Sequence, residues 1–161
     1  MNEREFQEAV SSTIREILET MGIRDAKIDV YAGSGDREPV MFSVTVDRSD
    51  SKVLIGQRGV GLFSFQHLIQ TIVRRKYREH ADFGIDVNRY WKEKKRHLRH
   101  DAEDAAHEAV ATGRPIQMRP MSSYERKVVH AVLSASERVE TGSVGKGEDR
   151  RVVVKPKAVF S

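Results

Sequence analysis

Two short stretches of this chain carry residue types whose spacing suits the holding of phosphate groups. The first runs Val53-Leu54-Ile55-Gly56-Gln57-Arg58-Gly59-Val60-Gly61-Leu62-Phe63 and sets glycines around a polar pair between two apolar runs. Glycine reaches positive φ without steric cost and lets a backbone come close to another group. The second, Tyr124-Glu125-Arg126-Lys127-Val128-Val129-His130, spaces an arginine and a histidine four apart, which puts them on one face of a helix. A guanidinium fork beside an imidazole can hold one phosphate. Taken by itself, such a pair is more often an ordinary surface pair.

The glycine stretch fails as a nucleotide pocket. A mononucleotide loop ends in Gly-Lys-Ser/Thr, whereas Val60-Gly61 follows Gly59. A dinucleotide loop needs GxGxxG directly after a strand, and this spacing is GxxGxG after a helical turn. A Gly-x-x-Gly loop joining two helices fits instead, as in the clamp of a KH domain, where a single nucleic-acid strand lies across exposed backbone. Gln57 and Arg58 would reach sugar-phosphate oxygens, with Lys52 close by in sequence, while Ile55 and Leu62 would floor an apolar groove for the bases. The competing reading is a glycine turn kept for close helix packing.

Charge agrees with a phosphate partner. Residues 1–51 hold 6 Lys/Arg against 11 Asp/Glu, residues 52–100 hold 12 against 4, and the remainder 10 against 9. The basic excess starts at the glycine stretch, as expected where nucleic acid binds. Part of it, Lys92, Lys95, Arg96 and Arg99, forms a basic rail along a helix; a solvated helix face is the duller account. Tyr90 and Trp91 could stack bases, but Trp91 sits on the apolar stripe of that helix and is assigned to the core.

Several function classes drop out. There is no cysteine, so neither disulfide nor thiolate chemistry is available. The charged start MNEREFQEAV lacks a signal-peptide stretch, and no apolar run is long enough for membrane insertion. His97, His100 and His107 with Asp101 and Asp104 lack a metal-binding signature of the HExxH type, so neither a metal nor a cofactor is expected. No catalytic residues are assigned, because His130 has no evident acid partner. A binding protein is expected, not an enzyme.

The elements that must position these residues follow from periodicity. Phe6, Val10, Ile14, Ile17, Leu18 and Met21 share a helical face, with Gly22 as its stop. Lys27–Tyr31 and Val40–Val46 alternate as strands around a polar turn, Gly33–Pro39. Ser49–Ile55 predicts a short helix, Leu62 to Arg78 a longer one, and Gly84–Val87 a third strand. The order α-β-β-α-GxxG-α-β defines a first domain over residues 1–88. A second, 89–161, opens with a long helix from Arg89 to Ala111, striped by Trp91, Leu98, Ala102, Ala105 and Ala109. After it come a short strand at Ile116–Arg119, a helix capped by Ser122 and Glu125, and a hairpin of Val139–Thr141 with Arg151–Val154. The fold class is α+β, with a three-stranded sheet packed by helices followed by a small α/β domain.

The Arg126-x-x-x-His130 pair, the preceding GRPIQMRPMSSYER and the following RRVVVKP resemble the R-three-H domain. The type II KH-like unit followed by this one resembles the bacterial Jag family, also called SpoIIIJ-associated proteins, over about residues 4–157. That resemblance implies a cytoplasmic protein binding single-stranded RNA, or single-stranded DNA, as an RNA chaperone or post-transcriptional regulator linked to cell shape and division. By position, the clamp falls on Gly56–Gly59 and the second contact on Arg126 and His130. Two departures stand out. The chain starts at the KH unit, without the Jag-N domain of many members, and Gln57 stands where family loops commonly carry lysine. The alternative function is a protein–protein scaffold that dimerises with another KH protein, or with itself, nucleic acid being secondary.

Overall fold

The computed structural model describes residues 1–32, 39–78 and 82–158, and the chain divides into two compact units, Met1–Trp91 and Lys92–Ser161. The division falls just beyond the 88/89 boundary expected from sequence. Most of the predicted polar turn at Gly33–Pro39 lies outside the described residues.

In the first unit, helix α1 (Glu3–Thr20) starts at a reciprocal cap. Asn2 Oδ1 accepts from the Glu5 amide at 2.9 Å, and Glu5 Oε2 accepts from the Asn2 amide at 2.9 Å. Two otherwise orphaned donors are thereby satisfied. It ends where Gly22 turns to a φ of 85° and Ile23 N–H reaches back to Leu18 O at 2.8 Å. Strand β1 (Lys27–Tyr31) pairs antiparallel with β2 (Val40–Thr45), and β2 pairs parallel with β3 (Phe83–Val87), Val40 facing Phe83 and Val44 facing Val87. A parallel pair needs a crossover, which here holds α2 (Arg48–Ile55) and α3 (Val60–Tyr77).

Apolar faces of α1 and α3, with Leu54 of α2, share a core with the sheet. Val10, Ile14, Leu18, Phe42, Leu62, Phe65, Ile69, Val73, Phe83 and Ile85 are all buried. Phe83 lies edge-on to Phe6 and Phe42, with centroids 5.9 and 5.5 Å away. A ring of that size contributes about 1.5–3 kcal/mol when fully buried. The free edge of β3 is covered by α3: Gln66 Oε1 accepts the Ile85 N–H at 2.9 Å, and Gln70 Nε2 donates to Phe83 O at 3.0 Å. Sheet edges left bare invite wrong pairing.

Beyond β3 the backbone turns through two left-handed residues, Asn88 and Arg89, with φ of 48° and 59°. Asn88 stands in for a strand residue: its amide reaches Val44 O, and its side chain both accepts from Val46 N–H and donates to Val46 O, each at 3.0 Å. Helix α4 (Tyr90–Thr112) then begins, the Trp91 N–H donating to Asp86 Oδ1 at 2.9 Å.

The second unit packs Leu98, Ala102, Ala105 and Ala109 of α4 against Met118, Met121, Val129, Leu133, Val139, Val152 and Val154. Its remaining elements are β4 (Ile116–Pro120), α5 (Ser123–Leu133), β5 (Val139–Val144) and β6 (Arg151–Pro156). The sheet is antiparallel, in the order β4-β6-β5. The α+β class holds in both units. Trp91 is buried as expected, but in the first unit, apart from the stripe it was grouped with.

Candidate nucleic-acid interface

Between α2 and α3 the chain makes one short 3-10 turn, Gln57–Gly59. Helix α2 stops because Gly56 adopts φ 66°, ψ −169°, and its N–H still reaches Lys52 O at 3.0 Å. Arg58 is left-handed, at φ 52° and ψ 26°, and Gly59 follows at φ 81°. Gly56, Gln57 and Arg58 are exposed while Gly59 is buried. Helix α3 opens at Gly59 with no side chain capping it, so the positive end of its dipole meets the loop beside the Arg58 cation.

The packing reading also holds. A Cβ on Gly61 would lie 2.7 Å from Leu54 O, and one on Gly56 would lie 3.0 Å from Gly61 N. These two glycines therefore let α2 and α3 approach backbone to backbone. Close approach and an exposed loop are two results of the same residues.

In the second unit, Arg126 and His130 lie on α5, which opens with the predicted cap: Ser122 Oγ accepts from Glu125 N–H at 3.2 Å, and Glu125 Oε2 accepts from Ser122 N–H at 2.7 Å. The Arg126 guanidinium donates to Met121 O at 2.9 Å and to Ser123 Oγ at 3.0 Å. Met121 is itself fixed, its N–H donating to Arg150 O at 3.0 Å. His130 is hydrogen-bonded through Nδ1 to Thr141 Oγ1 at 2.7 Å and through Nε2 to Ser143 Oγ at 3.0 Å. Burial, and then the Arg126 charge, push the imidazole below its ordinary pKa, so it is neutral at pH 7. Arg126 thus carries the positive charge of this pair, and two β5 hydroxyls complete the patch.

Glu125 is only 7% exposed. Lys94 Nζ lies 2.9 Å and Arg119 Nη1 3.5 Å from its Oε1. Burial raises its pKa, but the Ser122 backbone hydrogen bond and Lys94 outweigh this, and the carboxyl stays below its usual range. Lys94 is therefore spent on a structural pair. Along the same helix Lys92, Lys95, Arg96 and Arg99 are exposed, Arg96 being paired with Glu93 at 3.1 Å. Exposed pairs of this kind contribute little, so the cation is not neutralised as a phosphate ligand.

Residues 96–156 match the family model of the R-three-H domain, a span that includes Arg126 and His130. Over 70–92% of its length the chain is similar to proteins named RNA-binding protein KhpB. That of Clostridium symbiosum is 26% identical over 149 residues, 92% of this chain and 65% of the relative. That of Bacillus subtilis is 31% identical over 137 residues, 80% and 65% of the two chains. That of Lactiplantibacillus plantarum is 33% identical over 112 residues, 70% and 35%. These matches agree with the resemblance to the Jag family read from the sequence. The chain spans at most 65% of the length of these relatives. In this chain the GxxG turn lies in the KH-like unit and the arginine–histidine pair in the unit matched by the R-three-H model.

One expected site residue is corrected. Leu62 is wholly buried and cannot floor a groove, because it shares the inward face of α3 with Phe65, Ile69 and Val73. Ile55 is half-buried, and Lys52 is exposed. The apolar surface near the turn comes instead from Val53, Val60 and Phe63, respectively 67%, 63% and 43% exposed. Their signal was their position immediately beside Lys52, Gly59 and Leu62. Thr141 and Ser143 were also missed. Their spacing of two on a strand, which puts both hydroxyls on one face, was the signal available.

Proposed function

We propose that the chain binds single-stranded RNA without chemistry, through the main chain of Gly56–Gly59 in the first unit and Arg126 in the second. The observation that carries this is the exposed turn: a protruding backbone with one cation, Arg58, at the uncapped start of an 18-residue helix. The names of the relatives and the R-three-H match support RNA as the ligand. Gln57 supplies a neutral hydrogen bond where a second cation would release another counterion, so the salt dependence of this site is shallow. Two modest sites on one chain reinforce each other through effective concentration. Single-stranded DNA is the natural competitor.

Replacing Gln57 and Arg58 together by aspartate should lower RNA affinity at least about tenfold in filter binding, with the fold intact, since repulsion replaces phosphate contact. Unchanged affinity would remove the clamp from the mechanism. The family resemblance extends the reading to a cytoplasmic RNA chaperone or post-transcriptional regulator acting in cell shape and division. Crosslinking in cells with sequencing of the bound RNA tests that extension.

A second reading, a scaffold that pairs with another KH-type chain, draws on the outer face of α3. There Phe63, Ser64, His67, Leu68 and Thr71 line a shallow depression of about 500 Å³. A complex of defined stoichiometry that ignores salt would favour the scaffold; binding that collapses with salt favours nucleic acid.

A further inference from the structure

Gly59 is covered by an aromatic pair that follows β3. A Cβ at this position would stand 2.8 Å from Tyr90 Cε1 and 2.9 Å from Trp91 Cη2, so both rings touch the last residue of the loop. Trp91 is 9% exposed, its ring centroid 4.7 Å from that of Phe63 and 5.0 Å from that of Tyr90. Phe63 belongs to the first turn of α3, so the indole packs against both the end of the loop and the start of the helix that the loop opens. The main chain that carries the indole is itself held. Asp86, buried in β3, accepts the Trp91 backbone N–H, and Asn88 locks the intervening turn onto Val44 and Val46.

Arg58 meanwhile keeps a left-handed backbone, which a residue with a Cβ adopts only where its surroundings dictate it. The neighbour that is pinned is Gly59. We propose that Tyr90 and Trp91, set in place by Asp86, are positioning residues of the clamp. They hold Gly59 at its positive φ and so present Gly56, Gln57 and Arg58 in a formed turn, which an incoming strand need not order at its own cost. The proposal rests on the clamp reading above and adds to it where the loop's shape originates.

Trp91 is the chain's one tryptophan, so the intact protein carries its own reporter. Titration with a mixed-sequence single-stranded oligoribonucleotide should change its emission saturably, with the midpoint found by filter binding. The Gln57→Asp/Arg58→Asp variant should lose that response. Trp91→Phe keeps a ring in the core but removes the atoms that touch Gly59. It should remain folded by circular dichroism and bind about fivefold more weakly, as expected when a loop is ordered on binding instead of beforehand. Combined with Arg58→Ala, its loss should overlap with that of the arginine, since contacts made through one loop are not additive. Should Trp91→Phe fail to fold, Tyr90→Leu removes the other ring and is read the same way.

Weak binding by the double aspartate variant, with parental binding by Trp91→Phe, overturns the positioning role and leaves the clamp standing. Losses that add with Arg58→Ala overturn it too, because a residue that only stabilises the unit acts independently of the loop. Emission that stays constant through binding seen on filters does the same. Normal binding by the double aspartate variant brings down both the clamp and the role.

Discussion

At Gly56–Gly59 the exposed surface is main chain, Gln57 and one arginine, whereas around Arg126 and His130 it consists of side chains already hydrogen-bonded to other groups of their own unit. The turn is shaped by what is missing: glycines leave no room for a Cβ against Gly61 or against Tyr90 and Trp91. The α5 patch is shaped by what is present, with Met121 O and Ser123 Oγ holding the guanidinium and two hydroxyls holding the imidazole. One site should therefore fail when atoms are added, the other when they are removed. The two also differ in charge. A helix start and Arg58 make the turn positive, while in the second unit Arg126 carries the charge next to a histidine whose pKa is lowered.

The largest effect expected from this contrast is at Gly59. Gly59→Ala adds a single methyl against two rings at positive φ and should destabilise the first unit by about 2 kcal/mol in urea unfolding. It should also reduce RNA affinity more than any single replacement in the second unit; the reverse order would break the comparison. Next is Arg126→Ala, which removes hydrogen bonds to Met121 and Ser123. It should cost about 1 kcal/mol of stability and weaken RNA binding equally for oligonucleotides of different sequence. A loss confined to one sequence would mean that Arg126 reads a base.

Smaller still is the paired change Thr141→Val with Ser143→Ala, which strips His130 of both partners while leaving Arg126 untouched. A modest loss of stability and a shifted His130 resonance in an NMR titration are expected, with the Gly56–Gly59 turn unaffected. The smallest effect concerns pH. The folded pKa of His130 lies below its ordinary value of 6.5, so the unfolded chain takes up this proton first. Its contribution is present in full above about pH 6.5 and is lost as pH falls through the folded pKa. Urea midpoints should drop between pH 7.5 and 5.5, and His130→Gln should flatten that slope.

Features encoded over a few residues were legible in the sequence. The helical face from Phe6 to Leu18, the Ser122–Glu125 cap and the GxxG spacing each depend on neighbours within one or two turns, and the structure carries all three. Met21, expected on that face, is instead exposed at the helix C-cap. Of the candidate site, the conformation of the turn was legible. Leu62 was misassigned because its nearness to the loop competed with its helical phase, and the phase, shared with Phe65 and Ile69, decided its burial. The partners of His130 come from β5, and the carboxylate that occupies Lys94 comes from α5. Such pairings depend on which faces of distant segments meet, and no local spacing encodes that. Gly59 was read for its freedom; the rings that depend on its missing side chain lie some thirty residues further along.

Gln66 and Gln70 have a mechanical consequence. Set four apart on α3, they grip an amide and a carbonyl of β3 two residues apart. Sliding the helix along the strand by a single residue would break both grips at once and leave four buried or half-buried polar groups without partners. The helix is thus keyed to the sheet like a toothed rack. The helix has no neighbouring notch into which to shift, so α3 and β3 can move only together unless both bonds break.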